Sequence, residues 1–230
     1  MGNCACFDGL SLKRKIEDET FKRSSESRIS LVSSISNGEF ASRAIVVMGV
    51  SGSGKSTTAK KLLERMEELG CPVTPASFIE GDDYHPAENR SKMAQDIALS
   101  DDDRKPWLKS LHDELQRRMK NGEFAVLACS ALKDHYRELI RGESKDVLFV
   151  YLDVPKEELR RRLEERAKKE PAHFARGGLL DSQLAALERP SASSGVIIID
   201  CDTHKTEEAI VRAVIKDIDQ VCQGKVRRGQ

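Results

Sequence analysis

The chain has 230 residues, and its 38 Lys and Arg side chains balance 38 Asp and Glu side chains, so the formal net charge is zero. This length accommodates one α/β domain with additional tails. The balanced charge gives no overall attraction for nucleic acid, and no apolar run reaches the about 20 residues of a membrane-spanning helix. We therefore expect any phosphate to be recognised by a local group of residues. We also expect no nucleic-acid partner and a cytoplasmic catalytic part.

Residues 1–42 are rich in Ser, Lys, Arg and Glu and are predicted to form a flexible tail. Gly2 follows Met1, as N-myristoylation requires, and Cys4 and Cys6 lie where palmitoyl chains are often added. Cys6, however, occupies the position at which the myristoylation signature prefers Ser or Thr. Two hypotheses stay open: an acylated tail that associates with membranes, and an unmodified tail.

Beyond the tail, short apolar runs alternate with amphipathic helical patterns. The apolar runs predict strands at Ala44–Met48, Ala76–Ile79, Phe124–Cys129, Val147–Leu152 and Val196–Asp200. The helical patterns cover Lys55–Leu69, Trp107–Asn121, Lys133–Arg141, Lys156–Lys168 and Thr206–Val221. The alternation predicts a parallel sheet covered on both faces, with ligands at the carboxyl ends of the strands. We expect the domain to span 43–222, with a C-terminal tail at 223–230.

The first strand leads into a glycine-rich segment that fits G-x-x-x-x-G-K-[ST], formed by Gly49, Val50, Ser51, Gly52, Ser53, Gly54, Lys55 and Ser56. Between a strand and a helix this pattern forms a phosphate loop, whose backbone N–H groups bind phosphate oxygens. Lys55 is predicted to reach the β- and γ-phosphates, and the Ser56 hydroxyl to ligate magnesium. We include the following Thr57 in the nucleotide-binding segment. The loop alone leaves kinases, GTPases and motor ATPases open.

Two acidic residues end the second predicted strand. Because side chains alternate along a strand, Glu80 and Asp82 are expected on the same side, facing the cleft. Asp82 is the candidate to accept the proton of an attacking hydroxyl, and Glu80 the candidate to hold magnesium-bound water. The alternative is a solvated acidic turn.

Three acids, Asp101–Asp103, are placed directly before the next predicted helix and either cap that helix or line the site. The adjacent Arg104 is suited to binding a substrate carboxylate through two parallel hydrogen bonds. Lys133 and Arg137 are four residues apart and are expected to share a helix face, the alternative being a solvated face.

Several of these segments together resemble the gluconate kinase family. The resemblance covers about 45–218 and rests on the phosphate loop, Gly81-Asp82 with His85-Pro86 and Asn89, Lys92-Met93, Asp101-Asp-Asp-Arg-Lys-Pro-Trp-Leu108, and Cys129-Ser-Ala-Leu-Lys133 with Tyr136-Arg137. It implies an adenylate-kinase-like P-loop fold with a five-stranded parallel sheet and a lid, using ATP and Mg²⁺. The implied reaction transfers the γ-phosphoryl group to the 6-hydroxyl of D-gluconate, giving 6-phosphogluconate and ADP.

The resemblance also implies roles for individual residues. Asp82 becomes the acceptor-side carboxylate, and Lys133 and Arg137 become contacts to gluconate or to the transferring phosphate. His85 is included among the substrate-binding residues. Arg162 and Arg166 are the candidate lid arginines, the alternative being an exposed basic helix paired to its own glutamates.

The chain departs from the family pattern at two places. Ala175 follows His173-Phe174 where the family usually has a second Phe, and Arg189 stands where an acidic residue is common. Two rival hypotheses remain: a kinase for another small hydroxy acid such as shikimate, and a membrane-tethered nucleotide-binding regulator. The oligomeric state, a homodimer included, is left open.

Overall fold

The computed structural model describes residues 43–69, 75–95, 97–169, 177–191 and 194–222. The predicted tails and the Cys4 and Cys6 acylation sites lie outside these ranges. Within them, five strands form one sheet: β1 (Ala44–Met48), β2 (Ala76–Glu80), β3 (Phe124–Cys129), β4 (Val147–Asp153) and β5 (Val196–Asp200). The strand order is β2-β3-β1-β4-β5 and all neighbouring strands are parallel. The predicted five-stranded parallel sheet is confirmed.

The described helices are α1 (Lys55–Glu68), α2 (Ala87–Ala94), α3 (Asp101–Lys120), α4 (Asp134–Arg141), α5 (Lys156–Lys169), α6 (Gly177–Ala186) and α7 (Glu207–Cys222). A short 3₁₀ turn at Gly81–Tyr84 connects β2 to α2. None of the described helices is both long and apolar enough to cross a membrane.

Two hydrophobic cores lie on opposite faces of the sheet. On one face Ile45 and Val47 belong to the cluster that includes side chains of α1 and α7. On the other face Val46 and Met48 pack in a cluster with side chains of α3 and α4. Because both faces are covered, the strands β1, β3 and β4 are almost continuously apolar rather than alternating.

The position of β1 determines where ligands can bind. This strand pairs with β3 on one side and β4 on the other. The chain first builds β2 and β3 on one side of β1 and then crosses to build β4 and β5 on the other side. Open α/β sheets bind ligands outside the carboxyl ends of the strands at such a switch point. The phosphate loop follows Met48 at this position.

The predicted start of α3 at Trp107 is wrong, because the helix begins at Asp101. Ser100 is its N-cap: its hydroxyl accepts from the Asp103 backbone N–H at 3.1 Å, while the Asp103 carboxylate accepts from the Ser100 N–H at 2.9 Å. This reciprocal capping box favours helix initiation, and the acids of the first turn suit the helix dipole. Pro106, a residue favoured at the first helical position, lies inside α3 and obscures its true start.

Helices α2 and α6 were not predicted. Asn89 is the buried residue of α2, so that helix has no apolar stripe to reveal it. Helix α6 begins with Gly177-Gly178, and glycine has low helix propensity. Both helices carry residues that contact the candidate site.

Candidate active site

The phosphate loop joins β1 to α1 through glycines in left-handed conformations. Gly52 and Gly54 have φ of 82° and 92°, and Gly54 is the N-cap of α1. Residues with a Cβ rarely adopt this region, so the turn depends on glycine. The loop therefore leads directly into a helix N-terminus, which is favourable for binding phosphate.

Lys55 begins α1 and turns back towards its own loop, where its Nζ donates to the Val50 carbonyl oxygen at 3.1 Å. Burial lowers the pKa of Lys55 from its usual 10.5, while the carboxylates of Asp82 and Glu80 act in the opposite direction. The Arg166 guanidinium adds to the lowering. The pKa of this ammonium group therefore responds to Glu80 at the end of β2, to Asp82 in the turn after it and to Arg166 of α5.

Asp82 does not lie on a strand. Strand β2 ends at Glu80 and Asp82 lies in the 3₁₀ turn, so the expectation of strand alternation through Asp82 is wrong. The turn begins at a glycine because of close packing, since a Cβ on Gly81 would lie 2.6 Å from the Ala128 carbonyl oxygen. Asp82 is exposed, while Glu80 is half-buried.

His85 is packed rather than open to the cleft. Its ring is buried and stacks on Trp107 with centroids 4.2 Å apart and planes at 14°. Asn89 Nδ2 lies 3.4 Å from His85 Nδ1 and donates to the Asp103 carbonyl oxygen at 2.7 Å. Burial lowers the pKa of His85 from its usual 6.5. Its role in substrate binding stays a prediction.

Arg104 and Lys133 meet at one aromatic ring. The Arg104 guanidinium carbon lies 5.8 Å and Lys133 Nζ 5.6 Å from the centre of the Tyr136 ring. Arg104 also donates to the Leu99 carbonyl oxygen. Two cations from α3 and from the start of α4 thus converge, an arrangement suited to a carboxylate or phosphate.

Asp101 holds Lys133 and Tyr136 in place, a role that the sequence alone did not assign. Its carboxylate accepts from Lys133 Nζ at 2.8 and 2.9 Å and from the Tyr136 hydroxyl at 2.6 Å. These bonds lower the pKa of Asp101 to about 2, and the Asp101 bond raises that of Lys133. The only sequence signal was the run of three acids, which also fitted helix capping.

The expectation that Lys133 and Arg137 share a helix face is wrong. Lys133 is the extended N-cap residue of α4, with φ −105° and ψ 153°. Arg137 is 3% exposed, and its guanidinium donates to the carbonyl oxygens of Ala131 at 3.0 Å and Glu188 at 3.1 Å. It also pairs with Asp134. Its donors are thus used to join α4 to the segment after α6.

Arg162 lies beside the phosphate loop. Its Nε donates to Glu158 at 2.7 Å, and its terminal nitrogen lies 3.5 and 3.4 Å from the carbonyl oxygens of Gly52 and Ser53. Arg162 therefore reaches the nucleotide side, although it also makes the ion pair that the alternative hypothesis expected. The predicted lid positions His173 to Ala175 lie outside the described residues.

The segment after α6 contacts both sides of the site. Gln183 accepts a hydrogen bond from the Ser51 backbone N–H at 2.7 Å. The Glu188 carboxylate accepts from the Asp134 N–H at 2.7 Å, at the start of α4. Arg189 pairs with Asp153 at the end of β4. It stands at a position where the gluconate kinase family commonly has an acid. Sequence reasoning gave Gln183 no role.

The doubly covered parallel sheet and the phosphate loop with its lysine define a P-loop nucleotide-binding protein. A family model described as an AAA domain matches residues 45–190. A probable gluconokinase of Xenopus tropicalis is 42% identical over 191 residues, which cover 76% of this chain and 93% of that protein. A gluconokinase of Gluconobacter oxydans is 44% identical over 162 residues, covering 70% and 84% respectively.

A solved structure agrees with these relatives. The crystal structure of a gluconokinase from Sinorhizobium meliloti is 36% identical, with a TM-score of 0.65, and the match covers 79% of this chain and 94% of that one. The chain belongs to the gluconokinase family.

Proposed function

We propose that this protein transfers the γ-phosphoryl group of ATP to the 6-hydroxyl of D-gluconate, giving 6-phosphogluconate and ADP. The observation that carries the proposal is the pairing of a phosphate loop that holds Lys55 with an acceptor side on which Arg104 and Lys133 converge at Tyr136. Membership of the gluconokinase family names the acceptor. The kinase domain is assigned to 43–222, which contains every residue used below.

On the nucleotide side, the loop residues from Gly49 to Gly54 supply backbone N–H groups for the phosphates, apart from Ser51 and Ser53, whose N–H groups donate to Gln183 and to the Val50 carbonyl oxygen. Helix α1 adds its positive end. Lys55 neutralises the β- and γ-phosphates with ammonium protons not used on Val50. Arg162, beside the loop carbonyls, faces the nucleotide, and Arg166 approaches the charge that develops on the transferring group. Catalysis is therefore mainly electrostatic positioning.

The donor set near the loop fits Mg²⁺. The Ser56 hydroxyl and the Glu80 carboxylate are oxygen donors, the type that Mg²⁺ prefers. No group of three or more His, Cys, Asp or Glu side chains in the described part of the chain forms a metal cage. Mg²⁺ commonly keeps several waters and is held by few protein groups together with substrate phosphates. Bound there, it would neutralise phosphate charge, with Ser56 as a ligand and Glu80 holding its water.

On the acceptor side, Asp82 orients the attacking hydroxyl and accepts its proton. Arg104 and Lys133 are assigned to the gluconate carboxylate or to the phosphate, since their charges converge at Tyr136. His85 supports the acceptor side of the site by stacking on Trp107. Arg137 is assigned to holding α4 against residue 188, because its donors are engaged by backbone oxygens.

A steady-state assay of the full chain with ATP and Mg²⁺ tests this function. ADP release, followed by a coupled enzyme assay, is expected with D-gluconate and not with shikimate, glucose or nucleoside monophosphates. The product is identified by mass spectrometry and by the position of its phosphorus coupling. Equal turnover of shikimate, or ADP release that ignores gluconate, would overturn the assignment.

The membrane anchor and the homodimer remain predictions. Gly2, Cys4 and Cys6 lie outside the described residues, and the described surface includes no partner chain. Intact-mass measurement of the protein from its native cells tests acylation of these residues. An unmodified mass would remove the anchor and leave the kinase assignment unchanged.

A further inference from the structure

One peptide unit of the phosphate loop is held from both ends. The carbonyl oxygen of Val50 accepts from Lys55 Nζ at 3.1 Å, and the N–H of Ser51 donates to Gln183 Oε1 at 2.7 Å. The two groups belong to the same planar unit, in which C=O and N–H of a trans peptide point in opposite directions. Lys55 and Gln183 therefore bind opposite edges of the Val50–Ser51 peptide.

Gln183 makes its contact from a firmly attached helix. On α6, Leu180 is buried in the hydrophobic core. Asp181 pairs with Lys156 at 2.7 Å and with Arg160 at 3.3 Å, both on α5. Two residues beyond α6, the backbone N–H of Glu188 donates to the Leu132 carbonyl oxygen at 2.9 Å, next to Lys133. Gln183 is thus fixed relative to α5 and to the acceptor side.

The chemistry of the contact is unambiguous. A backbone N–H can only donate, so the side-chain atom facing Ser51 must be the amide oxygen of Gln183. The contact is made between residues 132 positions apart, so it exists only in the folded domain. It constrains the Val50–Ser51 peptide, one residue before Gly52, where the loop turns into its left-handed conformation.

We propose that Gln183 is a positioning residue for phosphoryl transfer. By fixing the Ser51 N–H, it sets the orientation of the Val50 carbonyl that binds Lys55, and hence the place at which the lysine meets the transferring phosphate. It also couples the loop to α6, the helix that follows the predicted lid. The effect that we expect on kcat rests on the proposed function. The structural effect rests only on the hydrogen bond between Gln183 and the Ser51 N–H.

Gln183→Met tests the proposal, since it keeps the length of the side chain and the helix propensity but removes the acceptor. We expect kcat to fall at least about tenfold, because small displacements of catalytic groups are costly, with the KM for gluconate within about twofold of wild type. Gln116→Met on α3 makes the same substitution away from the loop and should leave kcat unchanged. A Gln183→Met enzyme with wild-type kcat and wild-type KM for ATP would overturn the proposal.

Hydrogen exchange provides a measurement that does not depend on gluconate. In the unliganded wild-type full chain, exchange of the Ser51 amide should be slowed at least about tenfold relative to an unfolded peptide. In folded Gln183→Met this protection should be lost while that of β1 amides is retained. A rapidly exchanging Ser51 amide in the wild type overturns the inference even if a variant fails to fold. A wild-type chain inactive on gluconate but protected at Ser51 would instead overturn only the proposed function.

Discussion

Trp107 donates its indole N–H to the backbone carbonyl oxygen of Gly81 at 2.7 Å. The bond joins the first turns of α3 to the turn that carries Asp82, and the Trp107 ring also stacks on His85. Trp107 is 1% exposed, so the bond is sheltered from water. The tryptophan is therefore a support for the acceptor-side turn as well as a core residue.

Trp107→Phe should test this support. Phenylalanine keeps an aromatic ring for His85 but leaves the buried Gly81 oxygen without its donor, at a cost of about 1–3 kcal/mol of unfolding free energy. The KM for ATP should stay near wild type while kcat falls. Trp107 is the single tryptophan of the chain, so urea unfolding must be followed by circular dichroism.

Met119→Leu, at the other end of α3, is the control for the Trp107 variant. It changes a buried side chain without removing a hydrogen bond, and such swaps usually cost under about 1.5 kcal/mol. It should leave kcat unchanged. Equal effects of the two substitutions on kcat would contradict a specific role for the indole bond.

Gly81→Ala should damage the site through backbone crowding. The new Cβ would lie 2.6 Å from the Ala128 carbonyl oxygen, and the backbone of the turn or of β3 must shift to relieve the clash. We expect about 1–3 kcal/mol of destabilisation, as for overpacked cores, together with a loss of kcat as Asp82 moves. Gly122→Ala is the matched control, since its Cβ has open space but a strained φ of +77°. It should lower stability and leave kcat near wild type.

Asp82→Asn tests the acceptor-side carboxylate directly. Loss of a general base lowers kcat by about 10²–10⁴-fold, and the KM for ATP should change little because Asp82 does not bind the phosphates. Asp83→Asn, an exposed neighbour in the same turn, is the control. Near-normal turnover of Asp82→Asn would reduce the residue to a positioning role.

Asp101→Asn should act on the acceptor rather than on the nucleotide. The substitution removes the charge that holds Lys133 beside Arg104, so we expect the KM for gluconate to rise about tenfold, the effect of one charge-assisted hydrogen bond. Asp102→Asn is the control, because Asp102 pairs with the exposed Lys105. A rise in the KM for ATP alone would contradict the assignment of Lys133.

The sequence predicted those parts of the molecule whose signals are local. Apolar strands and the phosphate loop lie in contiguous segments, so the sheet and the position of Lys55 could be predicted. Asp82 and Arg137 were misplaced because their surroundings depend on distant packing: Gly81 against Ala128, and Arg137 against residue 188. Gln183 gave no local indication of its bond to Ser51, since that contact forms only when α6 docks.

His85 should make stability depend on pH in the mildly acidic range. Burial depresses its pKa in the folded state, with Arg104 and Arg90 acting in the same direction and Asp82 opposing. The unfolded chain, in which the group has its usual pKa of 6.5, therefore takes up a proton first as the pH falls. Folding stability must then decrease as the pH falls below about 6.5, until the folded state also becomes protonated.

His85→Gln should flatten this dependence, measured as the free energy of urea unfolding between pH 7.5 and 5.5, with the difference between the two proteins growing towards low pH. Parallel curves for the wild type and His85→Gln would show that the buried imidazole is not the source of the acid sensitivity.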